Sequence, residues 1–345
     1  MKPPMPPAAE PFDADAPAEA DAGIFGLNVP PEEAGIVLIA VPFDATTSYG
    51  HGAHRGPEAI LEASHQVDLY DLELGRPYQV GIAMTPADAT IVKSNHVARE
   101  HVLKRRALGA KDPRAQVHID AVNAAGDNVC AWLKQEVQRH LAAGKMVGVV
   151  GGDHSVPLGA IEAHVQRYPQ MGLLHIDAHA DLRDAYEGFV HSHASIMHNV
   201  ITRTPLKKLV QVGLRDVGES EVKKIANSQG RIEAVYDRDL AHAALSGQPF
   251  LALAEQIIEK LPQEVYISLD IDGLDPVFCP NTGTPVPGGL SFRETCALMQ
   301  QIVRSGRRIV GFDLMEVAPG PQGHWDANIG ARLLYKMCGI AHWRP

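Results

Sequence analysis

Short apolar runs alternate with longer stretches of mixed character along most of the chain. The runs are IVLIAV (36–41), QVGIAM (79–84), MVGVV (146–150), GLLHI (172–176), KLVQVGL (208–214), IEAVY (232–236), EVYISL (264–269) and RIVGFDL (308–314). Near-continuous apolar character of this length suits strands buried on both faces, as in a parallel sheet. Between the runs, amphipathic patterning predicts helices over 57–66, 118–142, 156–167, 218–227, 249–260, 292–304 and 326–340. One helix start is well marked, because Ser291 followed by Glu294 forms a capping box ahead of an apolar run. Strand and helix alternating at this pitch predicts a three-layer α/β/α fold with a largely parallel central sheet. Residues 35–345 read as one domain, and 1–34, rich in Pro, Ala and acid, as a disordered or draped tail. The segment 92–117 is locally basic and weakly apolar, and reads as a solvated helix or insertion loop serving a surface or oligomer contact. No internal repeat is present.

Composition narrows the partners. The 345 residues are 45% hydrophobic and 21% charged, enough for a sizeable core. A formal net charge of -10 gives no overall attraction for phosphate backbones or anionic lipid, so neither nucleic acid nor a membrane is an expected partner. Cys130, Cys279, Cys296 and Cys338 lie far apart with no CxxC spacing, which argues against a zinc cluster and a disulfide framework. No apolar run approaches membrane-spanning length, and the first residues lack the basic start and apolar core of a signal peptide. The expected compartment is the cytoplasm.

The chemistry lies where the strands end. Ligands of open α/β sheets sit beyond the strands' carboxyl ends. Four of the runs lead into GGDHS, DAHAD, DIDGLDP and DLMEVAP, so four strands deliver acidic or imidazole side chains to one edge. A nucleotide loop is the competing reading of GGDHS, but the GxGxxG spacing and the P-loop lysine are absent. Alternation at a strand end puts Asp177, His179 and Asp181 on one side of the chain, and Asp270 and Asp272 repeat that spacing. With His154, two imidazoles and four carboxylates converge. Such groups repel one another in a shared pocket unless cations lie between them, and six ligands exceed what one ion needs. Two bridged ions, and hence hydrolysis, are the chemistry this set suggests.

In this order, and with NTGTPVPGGLSFRE and DLMEVAP, the motifs resemble the ureohydrolases: arginase, agmatinase, guanidinobutyrase, formimidoylglutamase and the guanidine or biguanide hydrolases. The resemblance runs over 35–342, starting at VPFDATTSYGHGAHRGPEAI. It implies two divalent ions, one held by His154, Asp177, Asp181 and Asp270, the other by Asp177, His179, Asp270 and Asp272. Mn²⁺ is usual in the family, while Ni²⁺ suits the same donors and is associated with the guanidine and biguanide branch. Asp181 would also aim the nucleophile. The family's proton shuttle falls on His193 in VHSHAS, with His191 as its neighbour and rival. Glu316 matches the carboxylate that pairs with a guanidinium, Thr284 would offer a hydroxyl, and Trp325 would cover a cation's face.

After Asp181 the chain reads LRDAYEGFVHS, without the Asn- and Ser-rich pattern that holds an amino acid's carboxylate in arginases. The expected reaction is therefore release of urea from guanidine or a short substituted guanidine. Agmatine is the leading rival, and guanidino acids follow, since Arg183 could meet an acidic tail and Asp184 or Glu187 an amine. A deacetylase of the same fold would use a single zinc held by two Asp and one His, which the six-ligand set disfavours. A non-catalytic subunit is a third class, disfavoured by the intact ligands. Family likeness also implies a homo-oligomer, trimer or hexamer, in some cases with a homologous subunit.

Overall fold

The apolar runs form the sheet that the pattern predicts. In the computed structural model, which describes residues 12–19, 21–109, 112–321 and 324–344, the strands are β1 (Ile36–Val41), β2 (Ile82–Thr85), β3 (Met146–Gly151), β4 (Gly172–Ile176), β5 (Lys208–Leu214), β6 (Ile232–Tyr236), β7 (Glu264–Asp270) and β8 (Arg308–Met315). They make one eight-stranded sheet in the order β2-β1-β3-β8-β7-β4-β5-β6, with every pairing parallel. All of β1 and β4 is buried, as are all but the first residues of β3, β5, β7 and β8, which is why these runs carry no polar alternation.

The helices are α1 (Gly56–Ser64), α2 (Ala89–Ala107), α3 (Ala115–Ala142), α4 (Leu158–Arg167), α5 (Ile196–Arg203), α6 (Glu219–Ala226), α7 (Asp237–Leu245), α8 (Phe250–Ile258), α9 (Phe292–Arg304) and α10 (Trp325–His342). One group packs α2 on α3, α3 on α4 and α4 on α5; another packs α1, α9 and α10 together with α8 beside α9. These two helical layers and the sheet give the three-layer architecture. The capping box of α9 is present in both directions: Glu294 N–H donates to Ser291 Oγ (3.2 Å) and Ser291 N–H to Glu294 Oε2 (2.8 Å). Among the described residues no helix is long and apolar enough to cross a membrane. All four cysteines are buried and unpaired by disulfides.

Three differences from the pattern have local causes. The strand expected at 79–84 starts at Ile82, because Pro77–Val80 winds into a 3₁₀ turn closed by Gly81 at φ 73°. Most of the basic segment is helical: α2 covers it as far as Ala107, capped by Asp88, which accepts from Thr90 N–H at 2.7 Å. It is not simply solvated, since Ile91, Asn95, Ala98 and Val102 are buried at alternating spacings of four and three. The polar Asn95 in that stripe hid the period. The short helices α5 and α7 were also absent from the pattern.

Of the expected tail, residues 1–11 and 20 lie outside the described residues. Ile24, Phe25 and Leu27 are buried, Phe25 N–H donates to Ser64 Oγ at 2.8 Å, and its ring meets Tyr335 edge-on at 4.8 Å.

Candidate metal centre and substrate cleft

The strands that lead into the four motifs, β3, β8, β7 and β4, are consecutive in the middle of the sheet. Their ends are also level, with Val150 beside Leu314, Leu314 beside Leu269 and Leu269 beside Ile176. Four distant sequence segments are thereby set side by side. At the end of β3, Gly152 is obligatory, because a Cβ there would lie 1.9 Å from Phe43 O. Asp181 (φ 53°) and Glu316 (φ 62°) occupy the left-handed region, which costs on the order of 1–3 kcal/mol for a residue with a side chain. The surroundings hold both: Asp181 O accepts from His198 N–H, Glu316 N–H donates to Gly152 O, and Glu316 O accepts from Thr282 Oγ1.

His154, Asp177, Asp181, Asp270 and Asp272 are all buried, and His179 is partly so. His154 Nδ1 lies 3.1 Å from Asp177 Oδ2, 3.2 Å from Asp270 Oδ2 and 3.6 Å from Asp181 Oδ2. A second grouping adjoins it, with His179 Nδ1 3.1 Å from Asp272 Oδ2 and 3.4 Å from Asp177 Oδ1. Asp177 faces both groups through different oxygens, the disposition a bridging ligand requires. Thr284 Oγ1 donates to Asp272 Oδ2 at 3.4 Å, so this hydroxyl reaches a carboxylate of the cluster.

The electrostatics fit cations. Burial first, then neighbouring carboxylates, push Asp181, Asp270 and Glu316 well above the usual range. Burial acts on Asp177 the same way, but the neighbouring imidazoles of His175, His154 and His179 outweigh it and hold it well below. The imidazoles are drawn upward against burial, His154 well above its ordinary value through Asp177 and Asp270, His179 to about 12 through Asp272 and Asp177. Without metal the cluster thus recruits protons to neutralise its own charge, and divalent ions would replace them.

Groups behind the cluster set which nitrogen faces it. Ser268 Oγ donates to Asp313 Oδ1 (3.0 Å) and so accepts from His154 Nε2–H (2.9 Å), leaving Nδ1 toward the carboxylates. Burial raises Asp313 to about 6, while the charge of His154 and the hydrogen bond from Ser268 act to lower it. Gln211 donates from Nε2 to His175 Nδ1 at 2.9 Å, which places the His175 proton on Nε2, 2.9 Å from Asp177 Oδ2. His175, Gln211, Ser268 and Asp313 carried no functional signal in the sequence beyond lying on strands β4, β5, β7 and β8.

A cleft of about 210 Å³ opens onto the cluster, lined by Ser48, His179, Asp181, Tyr186, His193 and Thr284, with Arg183, Asp216 and Glu221 among its other walls. Glu316, 5% exposed, touches the cluster through His154: Oε1 accepts from His154 N–H at 3.0 Å, whereas the buried Oε2 has no partner. His193 contacts Thr46 and Ser48 and faces the cleft. His191 turns away, its Nε2 2.8 Å from Asp127 and its Cβ packed where a Cβ on Gly126 would stand. Trp325 corrects the expectation placed on it: it is 52% exposed at the start of α10, its indole N–H donates to Val277 O at 2.9 Å, and it does not line the cleft. Asp184 pairs with Lys224, and Glu187 with Arg106, and neither lines the cleft.

Another His and Asp grouping, Asp44 with His51 and His54, carries a different meaning. The Asp44 carboxylate accepts from Gly52 N–H, His54 N–H and Asn95 Nδ2–H, and both imidazoles lie against it, 3.2 Å and 2.7 Å away. Its lone pairs are filled, and it anchors the loop after β1.

The arginase family model matches residues 34–339. An N(1)-aminopropylagmatine ureohydrolase of Thermus thermophilus is 35% identical over 319 residues, covering 92% of this chain and 94% of that one. An agmatinase of Pyrococcus horikoshii is 28% identical over 317 residues, covering 90% and 93%. Among solved structures, the proclavaminate amidino hydrolase of Streptomyces clavuligerus superposes with a TM-score of 0.70 at 24% identity, over 94% of this chain and 98% of that one, and supports the fold. With its fold, its four motifs on adjacent strand ends and this likeness over nearly its whole length, the chain belongs to the arginase family of ureohydrolases, metal-dependent hydrolases of C–N bonds in amidines and guanidines.

Proposed function

We propose that this enzyme releases urea from guanidine or a short substituted guanidine. The observation that carries the reading is Glu316, whose buried Oε2 has no partner while its Oε1 accepts from the backbone N–H of His154 in the cluster. A planar cation with paired N–H donors satisfies that oxygen and relieves the charge that burial has left there. The cleft's modest volume suits a short substituent.

His154, Asp177, Asp181 and Asp270 would hold one ion, and Asp177, His179, Asp270 and Asp272 the other. The family uses a binuclear divalent centre, usually Mn²⁺; Ni²⁺ suits the same imidazole and carboxylate donors. When bound, two such ions supply water activated to a nucleophile near neutral pH. Asp181 accepts a hydrogen bond from the attacking water and aims it. Glu316 holds the guanidinium so that its carbon faces that water. His193 passes a proton to the departing amine. In the metal-free site, burial first, then the charges of His179 and Arg106, lower His193 to about 3, so the ring there is neutral.

Agmatine is the second reading. Asp216, exposed at the cleft mouth, could meet a distal ammonium, and two of the relatives are named for agmatine or aminopropylagmatine. Urea release from guanidine, alkylguanidines, biguanides, guanidino acids and agmatine, each with Mn²⁺ and with Ni²⁺, decides between them. Two transition ions bound per chain with no urea from any of these compounds would refute the proposal, and one zinc per chain would favour deacetylase chemistry. Family likeness supports a homo-oligomer, which sedimentation analysis tests.

A further inference from the structure

The loop after β1, Asp44–Ser48, is held from several sides. Arg99 of α2 donates from Nη1 to Ala45 O (3.0 Å) and Thr47 O (2.8 Å). Arg106 of the same helix donates to Thr47 O (3.0 Å) and Thr46 O (3.3 Å), and its Nε donates to Glu187 Oε2 (2.8 Å). Three successive carbonyls are thus gripped by two guanidiniums from the segment that sequence reading assigned to the surface. Glu187, itself at φ 55°, belongs to the stretch between Asp181 and His193, so Arg106 joins two walls of the cleft. Asp44 anchors the loop's other end, with its N–H donating to Asn95 Oδ1 at 2.8 Å.

What this loop presents to His193 is specific. Asp153 Oδ2 accepts from Thr46 N–H (3.2 Å) and from the Thr46 hydroxyl (2.8 Å), while its Oδ1 accepts from Ser155 N–H and Oγ–H. A threonine hydroxyl has one proton and two lone pairs. The proton is committed to Asp153, so toward His193 this oxygen can only accept. It does so from His193 N–H at 3.2 Å, and the remaining lone pair faces His193 Nδ1 at 3.3 Å. The 3.3 Å contact with Thr46 Oγ1 is favourable when Nδ1 carries a proton; Ser192 Oγ also reaches this nitrogen, at the longer distance of 3.5 Å. In the neutral ring, Nε2 then holds the lone pair, beside Ser48 Oγ at 3.4 Å.

We propose that Thr46 is a positioning residue: backed by Asp153 and held by Arg99 and Arg106, it fixes His193 with the proton on Nδ1 and leaves Nε2 as the nitrogen that exchanges protons in the cleft. The contact at Nδ1 persists when the ring is doubly protonated, so His193 takes up a proton at Nε2 and gives it to the leaving nitrogen without turning. The same arrangement, a hydroxyl spending its proton on a buried carboxylate, stands behind His154 through Ser268 and Asp313. The proposal rests on the reading of His193 as the proton-transfer group.

The test compares Thr46→Val, which keeps the shape and removes the acceptor, with Thr46→Ser, which restores it. The metal-loaded enzyme is assayed with whichever of guanidine, methylguanidine and agmatine the wild type hydrolyses fastest. Thr46→Val should lower kcat about tenfold or more with KM changed far less, and should move the alkaline limb of the kcat profile to lower pH, because the doubly protonated ring loses its acceptor. Thr46→Ser should recover both. In ¹⁵N-histidine-labelled protein carrying zinc, a diamagnetic ion, two-bond ¹H–¹⁵N spectra should show His193 protonated on Nδ1 in the wild type and Thr46→Ser, and mixed in Thr46→Val; a difference spectrum against His193→Asn assigns the signal. Folded Thr46→Val with wild-type kcat, pH profile and tautomer overturns the proposal. If Thr46→Val fails to fold, Arg106→Ala decides: the same kcat loss and pH shift support the proposal, and an unchanged kcat and profile overturn it. Full turnover by His193→Asn would overturn the underlying reading and this proposal with it, whereas an inactive His193→Asn beside a wild-type-like Thr46→Val rejects the proposal alone.

Discussion

Glu316→Gln separates recognition of the guanidinium from the stability of the site. The substitution preserves shape: a glutamine carbonyl can accept from His154 N–H where Oε1 now does at 3.0 Å. Its amide NH₂ then takes the place of the unpartnered Oε2, and donors confront the substrate's own N–H groups. The loss combines a charge-assisted hydrogen bond, worth about 1.5–3 kcal/mol, with a buried donor left unsatisfied, about 1–3 kcal/mol. A fall in kcat/KM of roughly 10²- to 10⁴-fold follows, about 2.5–6 kcal/mol of lost transition-state binding. Stability should move the other way. Burial first, then Asp270 and Asp153, raise Glu316 well above its ordinary value, and an acid so raised in the folded state weakens the fold at every pH above its unfolded pKa. At pH 8 the metal-free Gln variant should therefore melt no lower than the metal-free wild type. Steady-state urea assays and thermal melts measure both. A kcat/KM within fivefold of wild type, or a melting temperature several degrees lower, would refute the reasoning.

The remaining outcomes concern protons, roles and shape. Metal removal by a chelator should abolish urea release, and the gap in melting temperature between loaded and metal-free protein should widen from pH 6 to pH 9. The sign follows because His154, His179, Asp181 and Asp270 are all raised in the metal-free fold; it holds protons that the unfolded chain releases as pH rises, so its stability falls, while bound ions displace those protons. A constant gap contradicts this account. His193→Asn should lower kcat about 10²- to 10⁴-fold with the fold intact, whereas His191→Asn should leave kcat nearly unchanged and cost roughly 1 kcal/mol through its contact with Asp127; reversed effects would exchange the two roles. Gly152→Ala should give little soluble protein, since its Cβ would lie 1.9 Å from the Phe43 carbonyl oxygen and backbone cannot give way there.

The parts of the fold and site that were legible share one property: each is written within a few adjacent residues. Strands buried on both faces appear as unbroken apolar runs, and GLLHI and KLVQVGL were bounded correctly for that reason. DAHAD and DIDGLDP show their candidate ligands at alternate positions. The parts that were not legible depend on tertiary partners. In α2, buried Asn95 breaks the apolar period because it serves Asp44, and Arg99 and Arg106 resemble surface charges until the loop they grip is seen. Trp325 misled in the other direction: nearness to Glu316 in sequence suggested nearness in space, but the strand-to-helix connection carries it to the start of α10, over Val277.

This division has a chemical reason. A metal ligand must be His, Asp or a similar donor, so its identity alone carries information and a cluster of such residues is conspicuous. A residue that fixes a tautomer needs only one proton to give and one lone pair to offer, which Ser, Thr and Gln supply while fitting an ordinary strand or loop. Ser268 lies within the apolar stretch of β7 and Gln211 within that of β5, and neither disturbs the pattern enough to be noticed. Yet each decides which nitrogen of a buried imidazole faces the carboxylate cluster. If Ser268 acts as its geometry implies, Ser268→Ala should remove the acceptor from His154 Nε2 and weaken metal retention while Asp177, Asp181 and Asp270 remain in place. Loss of an outer-shell partner of this kind typically lowers metal affinity about 10- to 100-fold. Metal content after dialysis against graded chelator reads that loss directly, without reference to substrate. Affinity equal to wild type would mean that the carboxylates alone orient His154.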